Sequence, residues 1–163
     1  MKKIFFALLN LSLVLVSCAQ TKCTVKKAYA FYTVTIAGAA IADENGNIIP
    51  PKPQINRFIY LEVTGTKEPV VERIMYDSIL YKSTIERVVG NIVVPVETNS
   101  ENAKYSIRVK KKNSLWKIEL QPADENKLAK EGATDINISF KYSNKSCTYK
   151  IKEEILLQTA PRY

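Results

Sequence analysis

The segment from Lys104 to Lys117 carries the side chains of this chain that are best suited to bind a charged ligand. If it is a strand, alternate residues share a face, and that face can bind phosphate groups of an anionic polymer or lipid surface. Trp116 could then stack against the ligand or sit in a membrane interface. A solvated sheet edge, protected from aggregation by its lysines, is the alternative. The candidate binding residues are Lys104, Arg108, Lys110, Lys111, Lys112 and Trp116.

Residue types that catalyse reactions are sparse. The chain has no histidine, which removes the usual general base and the commonest metal ligand. Ser114 and Lys117 fit the S-x-x-K pattern of serine β-lactamases, but that chemistry needs helical spacing and the segment reads as a strand. Glu62 and Glu72 lie on strands predicted to be neighbours, where two carboxylates could act as acid and base. A hydrolase that uses carboxylates alone is therefore an alternative, although the weakest one. The sequence predicts no enzyme, no cofactor and no metal site.

The first residues have the pattern of a secretory signal. Lys2 and Lys3 precede a run over residues 4–16 that is apolar apart from one asparagine and one serine. A basic start, an apolar run and a small-residue cleavage site define a signal peptide, and the run is shorter than the roughly 20 residues of a membrane-spanning helix. We expect residues 1–17 to be removed, residues 18–23 to form a short tether and residues 24–163 to form one domain.

The residues at this cleavage site, Leu15-Val16-Ser17-Cys18, resemble the lipobox of bacterial lipoproteins. The resemblance implies a diacylglycerol thioether on Cys18, cleavage before it, and acylation of the new amino terminus, for which palmitate is the expected label. Two or more acyl chains anchor a protein stably in a membrane. By the same analogy, Ala19 in place of aspartate implies the outer membrane, facing the periplasm, with surface exposure as the alternative. The mature region has the general look of small envelope lipoproteins.

Two further cysteines, Cys23 and Cys147, form an even pair in an oxidising compartment. The simplest prediction is a disulfide that joins the start of the domain to its last strands. In the chain-entropy model a loop of that length contributes about 4–5 kcal/mol. Two unpaired buried thiols are the alternative.

The charge of the chain favours anionic partners. The net charge is +8, and removal of two lysines with the signal peptide leaves +8 − 2 = +6. A positive excess attracts lipid headgroups, lipopolysaccharide phosphates and acidic polymers. We expect the membrane and an envelope protein or anionic polymer as partners, and no nucleic acid.

Short stretches rich in β-branched and aromatic residues, separated by turn signals, predict about nine strands and an all-β fold. Hairpins are predicted at Asp77-Ser78, at residues 143–145, and between residues 104–110 and 115–121. Residues 39–56 are predicted as a proline-containing loop with a small hairpin at its tip. An antiparallel, immunoglobulin-like sandwich is the predicted architecture, and a small barrel is the alternative.

Together these features predict a lipid-anchored, non-catalytic interaction module of the cell envelope. The alternative is a periplasmic carrier of a small ligand or an enzyme inhibitor. A large cavity lined by apolar side chains would favour the carrier, whereas a solid core with an exposed basic or apolar patch would favour the module.

Overall fold

The computed structural model describes residues 24–36, 41–49, 53–97, 103–124 and 131–158. These residues contain no helix, which confirms the all-β prediction. Three strands exceed the predicted nine, and each of these three is only two or three residues long. Within the described ranges the twelve strands are β1 Val25–Ile36, β2 Ile41–Ala42, β3 Ile48–Ile49, β4 Pro53–Thr64, β5 Val70–Tyr76, β6 Ile79–Val88, β7 Ile92–Pro95, β8 Lys104–Ile107, β9 Asn113–Pro122, β10 Ile136–Tyr142, β11 Lys145–Ile151 and β12 Glu154–Leu156.

Eight strands form one curled sheet in the order β11-β10-β5-β6-β9-β4-β1-β12. All its pairings are antiparallel except that of β1 with β12, in which Ala30 lies opposite Glu154. The chain leaves β11 at one edge and continues directly into β12 at the other edge. Tyr29 of β1 and Tyr149 of β11 line the same small cleft, so the two edges of the sheet approach each other. The architecture is consistent with a sandwich or a barrel-like fold.

Two of the predicted hairpins are confirmed, and their turns explain them. Asp77 and Ser78, between β5 and β6, have φ angles of 43° and 71°. Ser143 and Asn144, between β10 and β11, have φ angles of 48° and 63°. Positive φ at both central residues gives a turn whose twist matches that of the flanking strands. The small hairpin within residues 39–56 is also present, as β2 and β3.

The third predicted hairpin, between residues 104–110 and 115–121, is wrong. β8 pairs with β7, whereas β9 lies between β4 and β6. β9 buries side chains on both faces, as Leu115 and Trp116 show, and such a strand needs covering on both sides. It therefore occupies the centre of the sheet, and the β7–β8 hairpin covers part of one face.

The sheet buries a hydrophobic cluster on each face. The inner cluster contains Ile59 and Leu61 of β4 with Ile118 of β9. The outer cluster contains Phe31 and packs under the β7–β8 hairpin, where the rings of Phe31 and Tyr105 meet edge to face at 5.6 Å between centroids. Burial on both faces explains why β1 and β4 carry apolar residues at consecutive positions.

Candidate functional site

Five lysines converge around a cleft of about 530 Å³ at one end of the curled sheet, and we call this feature the lysine cleft. Two of them belong to the start of β1, and three immediately precede β9. The sequence singled out the second group but missed the first, because the groups lie 110 − 26 = 84 positions apart. The order β1-β4-β9 brings them together. The lining residues used below are Lys26, Lys27, Lys110, Lys111, Lys112 and Glu62, with Thr64 and Asn113 beside them.

The lysine turn, residues 110–112, is held in place by backbone hydrogen bonds. The Asn113 amide donates to the Lys110 carbonyl at 2.8 Å and closes the turn. The Gly65 amide donates to the Lys112 carbonyl at 2.9 Å, which ties the turn to the end of β4. The Thr64 amide donates to the Thr24 carbonyl at 3.1 Å, which adds the start of β1. The relative position of the two lysine groups is therefore set by the backbone.

Glycine is required at position 65 of this assembly. Gly65 has a φ of +88°, a conformation that residues with a Cβ rarely adopt. A Cβ added there would lie 3.0 Å from the Tyr142 hydroxyl oxygen, and that hydroxyl donates to the Thr64 carbonyl at 2.6 Å. A side chain at this position would disturb both the strand end and the lysine turn.

The positive charge of the lysine cleft is not neutralised by ion pairs within the described part of the chain. The salt bridges found there involve Arg57, Lys117 and Lys150, and none of the five cleft lysines takes part. One carboxylate, that of Glu62, lies among them, so the lining residues carry 5 − 1 = 4 net positive charges. Glu62 is only 3% exposed, and its carboxylate accepts a hydrogen bond from the side-chain amide of Asn113.

The other side of the lysine turn forms a second, smaller cleft of about 240 Å³. Arg87 and Val89 line it together with Lys110 and Lys111. Val89 is 91% exposed. Val89, which follows β6, thus places an exposed aliphatic side chain beside the cations of the lysine turn, a combination suited to a lipid headgroup region.

The remaining predicted residues of this group lie elsewhere. Lys104 is opposite Pro95 at the other end of the β7–β8 hairpin, and Arg108 is exposed just after β8; neither lines the lysine cleft. Trp116 is 5% exposed within the inner cluster, and its indole N–H donates to the Ser114 hydroxyl at 2.9 Å. Trp116 is therefore a core residue and does not reach a surface ligand.

A buried ion pair, which the sequence did not suggest, crosses the inner face of the sheet. Arg57 of β4 is 3% exposed, and its Nε donates to Oε1 of Glu154 in β12 at 2.8 Å. Nη1 donates to the Tyr81 hydroxyl at 2.9 Å, and the guanidinium carbon lies 5.1 Å from the Tyr76 ring centroid. The second carboxylate oxygen accepts the Ala133 amide at 3.2 Å. This cluster joins the last strand to the middle of the sheet.

Burial and pairing act in opposite directions on the ionisation of this cluster. Burial raises the pKa of the Glu154 carboxyl above its ordinary value, while the hydrogen bond and charge of Arg57 oppose that shift. Burial alone would lower the pKa of Arg57, but Glu154 outweighs it and the pKa is raised. Glu154 thus favours the charged form of Arg57, whereas Arg57 reduces but does not cancel the upward shift in the pKa of Glu154. The signal in the sequence was a charge at position 57, in phase with the apolar positions 59, 61 and 63.

The carboxylate pair considered in the sequence does not form. Glu62 lies on β4 and Glu72 on β5, and β6 and β9 separate these strands in the sheet. No group of three metal-ligating side chains occurs among the residues whose placement is described.

The predicted lipid and disulfide sites fall largely outside the described residues, since Cys18 and Cys23 both precede residue 24. Cys147 is buried on β11, and the described residues contain no disulfide. No helix in the described ranges is long and apolar enough to cross a membrane.

Comparison with known proteins adds no relative. The chain matches no protein-family model, no curated protein and no solved structure.

Proposed function

We propose that this chain is a lipid-anchored, non-catalytic module of the cell envelope whose lysine cleft contacts anionic groups at the membrane surface. The observation that carries the proposal is the convergence of five lysines without ion-pair partners in the described part of the chain. Each lysine near an anionic surface contributes on the order of 1 kcal/mol, and the cleft holds enough of them for a stable contact.

The position of the cleft in the chain supports this proposal. Lys26 follows Cys18 by 26 − 18 = 8 positions. Eight residues span at most about 29 Å even when fully extended. A lipid on Cys18 would therefore keep the cleft close to the headgroups, and Val89 would add an aliphatic contact beside the lysines. Outer-membrane attachment, facing the periplasm, remains the favoured location within this proposal.

The alternative functions receive less support. A carrier of an apolar ligand needs an internal apolar cavity, but the inner face of the sheet is occupied by a cluster of buried side chains that includes Ile59, Trp116 and Ile136. A carboxylate-only hydrolase needs two acidic groups in reach of one substrate, and Glu62 and Glu72 are separated by two strands.

Substituting Cys18→Ser is expected to abolish palmitate labelling and to release the protein from the membrane fraction, because the thioether needs the cysteine sulfur. The matched control is Cys147→Ser, which changes a cysteine on β11, far from the cleavage site, and should keep the label. Metabolic labelling and membrane fractionation measure both effects. Continued labelling of the Cys18→Ser protein would refute the lipid anchor.

We further propose that Cys23 and Cys147 form a disulfide. Cys147 belongs to the same inner cluster as Val25, which follows Cys23 by two positions. Tyr29 of β1 and Tyr149 of β11 also line one cleft, which places the strands that follow Cys23 and contain Cys147 near each other. Alkylation of the unfolded protein before and after reduction should show two additional labelled thiols after reduction. An equal number of labels in both samples would rule the bond out.

A further inference from the structure

We infer that the lysine cleft binds a phosphorylated sugar, with the lysines at the phosphate and Glu62 at the sugar hydroxyls. The inference rests on the proposed contact with anionic groups and narrows it to one ligand chemistry. Its starting point is that a single carboxylate lies among five lysines in one cleft.

The carboxylate of Glu62 does not suit a site for phosphate alone. Phosphate and carboxylate repel each other, and an ionised carboxylate that is only 3% exposed is unfavourable unless it is hydrogen-bonded. No lysine nitrogen in the described residues lies within salt-bridge distance of Glu62, and Asn113 supplies its hydrogen bond. Glu62 therefore forms no direct ion pair with the cleft lysines. A ligand that carries hydroxyl donors beside its phosphate would use both kinds of charge.

The dimensions of the cleft favour the same ligand. Its volume of about 530 Å³ lies in the range of about 300–1,000 Å³ that is typical of sites for small molecules. A lone phosphate would leave most of this volume empty, whereas a sugar phosphate would fill more of it. Thr64 and Asn113 add a neutral hydroxyl and an amide to the wall, and both groups can hydrogen-bond to a sugar.

The test uses the mature lipidated protein in a nonionic detergent, titrated calorimetrically with glucose 6-phosphate, inorganic phosphate and glucose at equal ionic strength. Glucose 6-phosphate adds hydroxyl donors that inorganic phosphate lacks, and a hydrogen bond from a hydroxyl to the charged Glu62 acceptor is stabilising. Glucose 6-phosphate should therefore bind about 5-fold more tightly than inorganic phosphate. Glu62→Gln keeps an acceptor for Asn113 but removes the charge. In that variant the affinity for inorganic phosphate should rise, and the preference for the sugar phosphate should fall below about 2-fold.

The wild-type titration decides the matter even if Glu62→Gln does not fold. Equal affinity for glucose 6-phosphate and inorganic phosphate, or a preference that survives Glu62→Gln, overturns the inference. Vesicle binding that still depends on Lys110–Lys112 would in that case leave the proposed function intact, so the two failures are distinguishable. Vesicles containing lipid A, compared with phosphatidylglycerol vesicles, identify the source of the sugar. Tighter binding to lipid A supports a membrane glycolipid, and a preference seen only with free glucose 6-phosphate supports a soluble ligand.

Discussion

Replacing Arg57 by leucine is expected to lower the free energy of unfolding by about 3–5 kcal/mol, because it leaves the Glu154 carboxylate buried without its partner. The Ala133 amide would then be the hydrogen-bond donor that remains to that carboxylate among the contacts described above. Urea denaturation, followed by circular dichroism, measures the change. An Arg57→Leu protein within about 1 kcal/mol of the wild type would contradict a structural role for the pair.

Two further variants make this prediction specific. Arg73→Leu removes the same kind of side chain from an exposed position on β5 and should change stability by no more than about 0.5 kcal/mol. The double variant Arg57→Leu/Glu154→Leu should be more stable than Arg57→Leu alone, because no uncompensated charge remains. Additive losses in the double variant would show that the two residues act independently.

Substituting Lys110→Gln, Lys111→Gln and Lys112→Gln together is expected to weaken binding to anionic vesicles on the order of 100-fold at low salt. The estimate follows from about 1 kcal/mol for each lysine near an anionic surface. Binding should be measured with the mature chain without its lipid, because the acyl chains would otherwise dominate the affinity. All described strands lie within residues 25–156, so removal of the lipid leaves them intact. The salt dependence of binding should weaken in parallel.

A second triple variant separates a local contact from a general effect of net charge. Arg73→Gln, Lys82→Gln and Lys152→Gln remove the same charge from exposed positions that do not line the lysine cleft. This protein should keep binding within a few-fold of the wild type. Equal losses of vesicle affinity in the two triple variants would mean that net charge alone drives binding. If neither variant loses affinity, the lysine turn does not contribute to binding.

Local features of the fold could be predicted from the sequence, because local rules determine them. Asp77-Ser78 and Ser143-Asn144 lie in short turns between apolar alternations, and both hairpins formed as predicted. The partner of β8 could not be predicted in this way. Strand pairing between distant segments depends on which strands are buried on both faces. For β9 this becomes evident only when the inner and outer clusters that cover its two faces are known.

The candidate site shows the same division. The lysines at positions 110–112 are conspicuous in the sequence, but Lys26 and Lys27 acquire meaning only when β1 and β9 flank β4. Trp116 has the same residue type whether it is core or contact, and the parity of β9 decides that it faces inward. Arg57 was detectable in principle, as a charge in phase with apolar residues, although its partner Glu154 lies 97 positions away.

The most direct test of the lysine cleft is a chemical footprint of the lipidated protein on two kinds of vesicle. Lysine acetylation rates, read by mass spectrometry, are compared on phosphatidylglycerol and phosphatidylcholine vesicles, so that the anchor is the same in both. Lys82 is the internal control, since it pairs with Gln121, about 26 Å along β9 from Asn113 at the cleft. We expect protection on the anionic vesicles of the five cleft lysines, and none of Lys82; the cleft lysines are Lys26, Lys27, Lys110, Lys111 and Lys112. Equal acetylation of the cleft lysines on both surfaces would contradict this prediction.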